Sequence, residues 1–298
     1  MVTVKRKSQK AWSLEDRMID AFTILMSVVV LISCIYPIYY VIILSFNTGL
    51  DASRGGIYLW PREFTLENYQ KVLSDPDWMQ ALFVSVLRTV IGTIVTVLFT
   101  SMFGYALAKE DLVFKRFYKI WLVIAMYFSG GMIPTYMVFK MLHLTNSFWI
   151  YIVPSALDYF FVLLFVSYFK EQPRELRESA IIDGASEIRV YFKIIWPISK
   201  PVLATFTLFS AVNQWNSYFD AVLYVQNQEL KPLAKYLVEI INSSATSKIA
   251  SPYGRSAGYT TQSIQLAVMV ISILPIVIVY PFVQKYFEKG MMLGAVKG

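Results

Sequence analysis

Two residue types on which much protein chemistry depends are almost missing. The 298-residue chain has one histidine, His143, and one cysteine, Cys34. A lone cysteine excludes an intrachain disulfide. With a single histidine beside it, a zinc site of ordinary composition is out of reach, and so is a Cys–His nucleophile pair. No G-x-x-x-x-G-K-[ST] stretch occurs, so the chain has no phosphate-cradling loop and is not expected to hydrolyse nucleotide. Carboxylate pairs on facing segments are not evident either. Nothing in this pattern supports an enzyme active site, a bound metal or a cofactor within the chain. Charge is scarce as well, at 16% of residues. A net charge of +7 on so apolar a chain is read by where the Lys and Arg lie, not as nucleic-acid affinity.

What is abundant is apolar surface. Hydrophobic residues make up 56% and aromatics 16%, with a mean hydropathy of +0.52. That is the composition of a polytopic membrane protein. Six apolar runs, at 21–46, 79–108, 120–139, 147–169, 202–225 and 260–284, predict an all-α membrane protein with six transmembrane helices. A charged leader (1–20), a polar stretch (173–201) and a tail (285–298) complete the chain. Leu31–Cys34 superficially matches a lipoprotein cleavage box, but the apolar run continues to Phe46 and more runs follow, which also argues against a removed signal peptide. Of the 27 Lys and Arg, 18 fall in the leader, the 109–119 turn, the 170–200 stretch and the tail, 8 fall in the alternate loops, and Arg88 lies within a run. The positive-inside rule therefore places both termini and the polar stretch in the cytoplasm.

Polar groups inside apolar runs are expensive and tend to face a partner or a water-filled path. Arg88 reads either as a snorkelling residue near the outer surface or as a partner for Asp158 or Asp220. Asn213, Gln214, Trp215, Asn216, Tyr218 and Asp220 combine amides, aromatics and a carboxylate, which suits hydroxyl-rich ligands along a path; helix–helix hydrogen bonding is the other use of such groups. Gly130-Gly131 and Pro134 mark a kink or an unwound turn.

The stretch 173–201 is unlike a plain loop. Pro173 suits the first position of a helix, Glu175 and Glu178 lie where the helix dipole favours negative charge, and Gly184 sits where a left-handed stop would go. Ser186 then offers an N-cap for a second helix whose apolar residues, Ile188 to Ile195, are roughly helical in spacing. The expected form is a helix–turn–helix along the membrane surface, placed to be touched by another molecule.

Glu178, Ala180, Asp183, Gly184 and Ala185, followed by Ile194 and Pro197, resemble the EAA–G–I–LP motif of permease subunits in bacterial ABC importers. Ser179 replaces an alanine of that pattern, and Trp196 a leucine. The YALAK run at 105–109, the SGGMIPTY run, the Trp215-Asn216 region and the KGMMLGAVKG tail are similar to the carbohydrate branch, including the second permease of the maltose importer and permeases for alginate- or pectin-type oligosaccharides. The resemblance implies a MetI-like importer-permease bundle that forms half of a translocation path. It implies a second homologous permease as heterodimer partner, two ATPase subunits that hold ATP and magnesium, an extracytoplasmic sugar-binding protein, and membrane lipid. On this reading Glu178, Ser179, Ala180, Asp183, Gly184 and Ala185 couple to an ATPase, and Gly290, Met291, Met292 and Gly294 of the tail touch it. A permease for a peptide or polyamine, or a stand-alone secondary transporter, is the alternative; the latter is expected to show related halves and midplane coupling groups.

Overall fold

The computed structural model describes the backbone of residues 14–250 and 260–295, with side chains for 15–242, 260 and 262–281. Along the chain run α1 (Leu14–Ser45), α2 (Gly49–Arg54), α3 (Glu67–Leu73), α4 (Pro76–Ala108), α5 (Lys115–Tyr127), α6 (Met132–Met141), α7 (Tyr159–Lys170), α8 (Glu175–Ile182), α9 (Glu187–Val190), α10 (Trp196–Ile198), α11 (Lys200–Asn216), α12 (Phe219–Tyr224), α13 (Leu233–Ala250) and α14 (Thr261–Ala295). The chain divides into two compact units, Met1–Tyr69 with Gly254–Val270, and Gln70–Tyr253 with Ile271–Gly298.

In the first unit, α1 is apolar and exposed along nearly its whole length. At about 1.5 Å per residue, its 32 residues exceed the ~30 Å of a bilayer core. Its C-terminal carbonyls are met by a buried polar knot. Asn68 donates to the carbonyls of Ser45 and Asn47, and accepts from Ser263 Oγ at 2.8 Å. Such partners are what a buried helix end requires.

In the second unit, α4 is the axis, with α7 and α11 packed along it. Its buried face carries small residues, with Gly92, Thr96, Thr100 and Gly104 at four-residue spacing and Ser85 and Ser101 beside them. Small side chains let helices approach and offer hydroxyls across the contact. A Cβ on Gly104 would lie 2.5 Å from that of Phe165, and one on Gly92 would lie 2.6 Å from Gln214 Nε2. Thr96 donates to the Ser155 carbonyl, and Thr100 Oγ1 accepts from Asp158 N–H.

Among the described residues three helices are long and apolar enough to cross a membrane unbroken, and five spans result if each of two bent pairs counts as one. The 120–139 run is the first bent pair: α5 and α6 meet at 116° around Ser129–Gly131, with Gly131 at φ 85°. The 147–169 run is not one helix. A 3₁₀ turn at Phe148–Tyr151 gives way to irregular backbone, and α7 starts only where Asp158 caps it by accepting from Phe161 N–H. Pro154 in between has no N–H to give to a helix. The 202–225 run breaks at Ser217–Tyr218, between α11 and α12.

Candidate functional site

The polar stretch folds as two short helices around Gly184. Pro173 stands one residue before the N-cap of α8, Arg174, rather than at its first helical position. At the other end Gly184 takes φ 81°. Its N–H donates to the Ile181 carbonyl, and the N–H of Ala185 donates to the Ala180 carbonyl, both at 2.9 Å. This crossed pair is the Schellman stop, which normally brings an apolar contact between the residues at its two ends. Ala180 is buried, and Ala185 packs against the same cluster, made by Tyr105, Phe169, Val190, Tyr191 and Ile195. Small residues at 180 and 185 let the elbow sit down on that cluster. Ser186 caps α9 by accepting from Arg189 N–H.

Beyond α9 the helix widens. Trp196 N–H reaches back to the Tyr191 carbonyl, forming a π turn over Tyr191–Ile195 just before Pro197. Pro197 and Pro201 each remove a donor. Between them the chain turns, and Glu187–Ile198 meets Lys200–Asn216 at 86°.

Glu187 ties the elbow to the end of α4. It accepts from Arg177 Nη2 at 2.5 Å and from Tyr105 Oη at 3.0 Å, and pairs with Lys109 Nζ at 2.9 Å. Burial pushes its carboxyl up, but the hydrogen bonds from Arg177, Lys109 and Tyr105 outweigh burial and hold it at about 2. Arg177 also bonds Asp111, whose carboxyl it holds below the usual carboxylate range. Arg174 forks onto Glu110. A cavity of about 270 Å³ opens between the end of α4 and α8, with Glu178 on its wall.

The predicted coupling residues thus divide in two. Ala180 and Ala185 face inward, whereas Glu178, Ser179, Asp183 and Gly184 are exposed. With them are Ile181, Ile188 and above all Ile182, 85% exposed. Sequence reasoning passed over Glu187, Arg177 and these isoleucines as site residues. A signal was present in YALAK, which supplies two of the partners of Glu187, but no spacing rule joins residues 82 positions apart. Gly290, Met291, Met292 and Gly294 lie in the helical backbone of α14, and their side chains fall outside the described residues.

The polar residues of α11 and α12 also separate. Arg88 is buried and does not snorkel. It pairs with Asp220 at 2.6 Å, donates to the Ser217 carbonyl at 3.0 Å, reaches Gln214 Oε1 at 3.3 Å, and lies 4.2 Å from the centre of the Tyr151 ring. It therefore fills the gap in backbone hydrogen bonding where α11 ends. Asp158 caps α7 instead of pairing with it. Gln214 gives its amide hydrogens to Ser155 Oγ and the Tyr151 carbonyl, and Trp215 donates to the Ser272 carbonyl. Asn213, Asn216 and Tyr218 are exposed. Asn213 lines two adjoining cavities of about 200 and 210 Å³, one reaching Arg88 and Asp220, the other Asp158 and Phe209.

Residues 16–293 match the family described as "Binding-protein-dependent transport system inner membrane component". Protein LplC of Bacillus subtilis (strain 168) is 42% identical over 264 residues, which is 89% of this chain and 90% of that protein. The polygalacturonan/rhamnogalacturonan transport system permease protein YtcP of the same organism is 37% identical, over 95% of this chain and 98% of its own. Among solved structures, a chain from a bacterial ABC transporter involved in the import of the acidic polysaccharide alginate superposes with a TM-score of 0.85 at 28% identity, covering 94% of this chain and 100% of that one.

Proposed function

We propose a function from a firm premise: this chain belongs to the family of inner-membrane components of binding-protein-dependent transport systems. It is the permease subunit of an oligosaccharide importer. Relatives named for pectin-type and alginate transport, similar over nearly their whole length, support the solute class. A second homologous permease completes the path, an extracytoplasmic binding protein delivers the sugar, and two ATPase subunits supply the energy with their own ATP and magnesium. Both termini face the cytoplasm, in line with the distribution of Lys and Arg.

The observation that carries the coupling role is the elbow at Gly184. An isoleucine 85% exposed, on a rigid turn bounded by Glu178 and Asp183, is not placed there for the stability of this chain alone. Burying one such side chain in a partner contributes about 1.5–3 kcal/mol. The elbow is also stiffly mounted, through Glu187 and the Ala180 cluster, on α4 and α11. A push on α8 is therefore carried to the helices beside the path rather than absorbed by a loose loop. The exposed Asn213, Asn216 and Tyr218 are the groups of α11–α12 left free to meet a sugar hydroxyl.

Two measurements test this. ATPase subunits should co-purify with the wild-type chain and be lost from Glu178→Lys, Gly184→Pro and Ile182→Asp variants whose thermal stability is otherwise kept. Retention of the ATPase by all three would remove the coupling role. Separately, binding-protein-dependent ATPase stimulation of the assembled complex should respond to an oligosaccharide panel. A response confined to peptides or amines would overturn the solute class alone.

A further inference from the structure

The cavity of about 210 Å³ beside Asn213 lies at membrane depth. Asp158, on its wall, caps α7, and the 12 residues of that helix separate it from the end at Lys170 by about 18 Å, past the middle of a ~30 Å core. Six polar residues line the space: Thr96, Ser155, Asp158, Ser210, Asn213 and Gln214. Three of them are used up within the chain. Thr96 donates to the Ser155 carbonyl, Ser155 donates to Tyr151 and Ile152 carbonyls while accepting from Gln214, and Gln214 also takes the Arg88 guanidinium.

The other three have capacity to spare. Ser210 is 7% exposed, yet its hydroxyl makes no hydrogen bond among the described residues. Thr205 and Thr207 on the same helix donate to carbonyls four residues back, which is the ordinary outlet for such a group. A buried hydroxyl left without a partner is costly. The Asn213 amide is likewise without a hydrogen bond among the described residues. Asp158 gives one carboxylate oxygen to Phe161 N–H and has the second open.

Charge and shape narrow what could fill this space. No Lys or Arg lines the cavity, and Arg88 next door is held by Asp220. Asp158 forms no ion pair among the described residues, and the N-terminus of α7 favours its negative charge. The wall opposite these groups is aromatic. Phe161 lies with its ring centre 3.8 Å from that of Phe206 and 5.9 Å from that of Phe209, and Phe209 is 52% exposed. Apolar rings with a few convergent polar groups are the make-up of a small-molecule site. Neighbouring hydroxyls on a sugar ring suit this set: they can donate to the carboxylate and exchange hydrogen bonds with the serine and the amide. A sugar acid does not suit it, because its carboxylate would face Asp158 with no cation between them.

We propose that Asp158, Ser210 and Asn213 bind the hydroxyls of one uncharged sugar ring lying on Phe209, and that Asp158 excludes sugar acids from this position. The assignment rests on the reading of the chain as an oligosaccharide permease and names the kind of ring that passes this point.

The test uses the assembled complex in nanodiscs without binding protein, with saturation-transfer NMR reporting sugar binding. The probes are two matched pairs, methyl glucoside against methyl glucuronide and methyl galactoside against methyl galacturonide. Two negative charges about 5 Å apart cost about fourfold in affinity in a fully watery cavity and more in a drier one. The wild type should therefore prefer the neutral member of at least one pair by about fourfold or more. Asp158→Asn, which still caps a helix, should erase that preference by admitting the acid. Ser210→Ala and Asn213→Ala should each weaken the neutral sugar by about 2–10-fold. Ser210→Ala should do so with Tm kept or raised, since it removes a hydroxyl that has no partner in the chain. Equal binding of neutral and acidic members by the wild type overturns the proposal, as does a preference that survives Asp158→Asn. Ser210→Ala that lowers Tm and leaves sugar affinity unchanged would make the hydroxyl structural and also overturn it. Binding-protein-dependent ATPase stimulation by oligosaccharides separates the two levels: if it persists while these variants bind sugar like the wild type, the site fails and the permease reading stands. If the complex answers to peptides or amines alone, both fall.

Discussion

Arg88 can be tested by a double-mutant cycle with Asp220. The guanidinium cannot lose its charge in a protein, and its side chain is 2% exposed against 25% for Asp220. Replacing Arg88 by Met leaves the carboxylate without its counter-charge and removes the guanidinium donor from the Ser217 carbonyl, at the break between α11 and α12. Breaking a buried pair from one side costs about 3–5 kcal/mol, and partial access of Asp220 to water puts this case near about 3. Asp220→Asn strands the arginine instead, but leaves it Gln214, the Ser217 carbonyl and the Tyr151 ring, so a loss of about 2 kcal/mol is expected. With both changes no charge remains to be stranded, and the double variant should lose about 2–3 kcal/mol less than the singles together. The assay is thermal unfolding of the purified chain in detergent. At about 2–4 °C per kcal/mol, Arg88→Met should lower Tm by about 6–12 °C, with the double variant above it. Single and double changes that add to within about 0.5 kcal/mol would mean that the two charges do not sense each other, and the reading of this pair as the clamp on the broken helix would be wrong.

Gly104→Ala drives a Cβ to 2.5 Å from that of Phe165 and should cost about 1–3 kcal/mol in the same assay, while Gly130→Ala, whose Cβ would meet nothing nearer than 3.9 Å, should change little. Gly184→Ala places a Cβ with nothing within 4 Å but forces a left-handed backbone at φ 81°, a strain of about 1–2 kcal/mol. It should weaken ATPase co-purification more than Gly184→Asn, which tolerates that region; equal loss would point to something other than backbone conformation. Glu187 is held at about 2 against an ordinary 4.5, so its contribution is complete above pH 4.5 and disappears as pH falls towards 2. Pepsin cleavage within 175–190 should therefore rise steeply across that window in the wild type, and Glu187→Gln should cleave readily throughout it.

Much of the elbow was legible in the residues. Gly184 as a left-handed stop and Ser186 as a cap follow from local rules, because a glycine after a helix and a serine before one each act within a turn of the chain. The places where reasoning along the chain stopped short are those set by contacts between distant segments. Glu178 through Ala185 read as one motif, yet Ala180 and Ala185 are inward packing and Ile182 is outward surface. That division depends on Tyr105 and Phe169 lying beneath α8. Arg88 offered three readings in the sequence, and the arrival of α11 alongside α4 selected one of them. The amides at 213–216 looked alike, but helical rotation turned Gln214 into the packed interior and Asn213 and Asn216 out of it.

Sequence alone determined the class: the apolar runs required helices in a membrane, because a backbone removed from water must satisfy its own hydrogen bonds. It also marked 173–201 as a charged stretch with helix-start and helix-stop signals of its own, unlike a plain loop. Tertiary structure decided where those helices break, since a broken span survives only where a neighbour supplies the missing donors, as Arg88 does for Ser217. It likewise decided which faces remain open, because burial belongs to pairs of surfaces and no single segment carries that information.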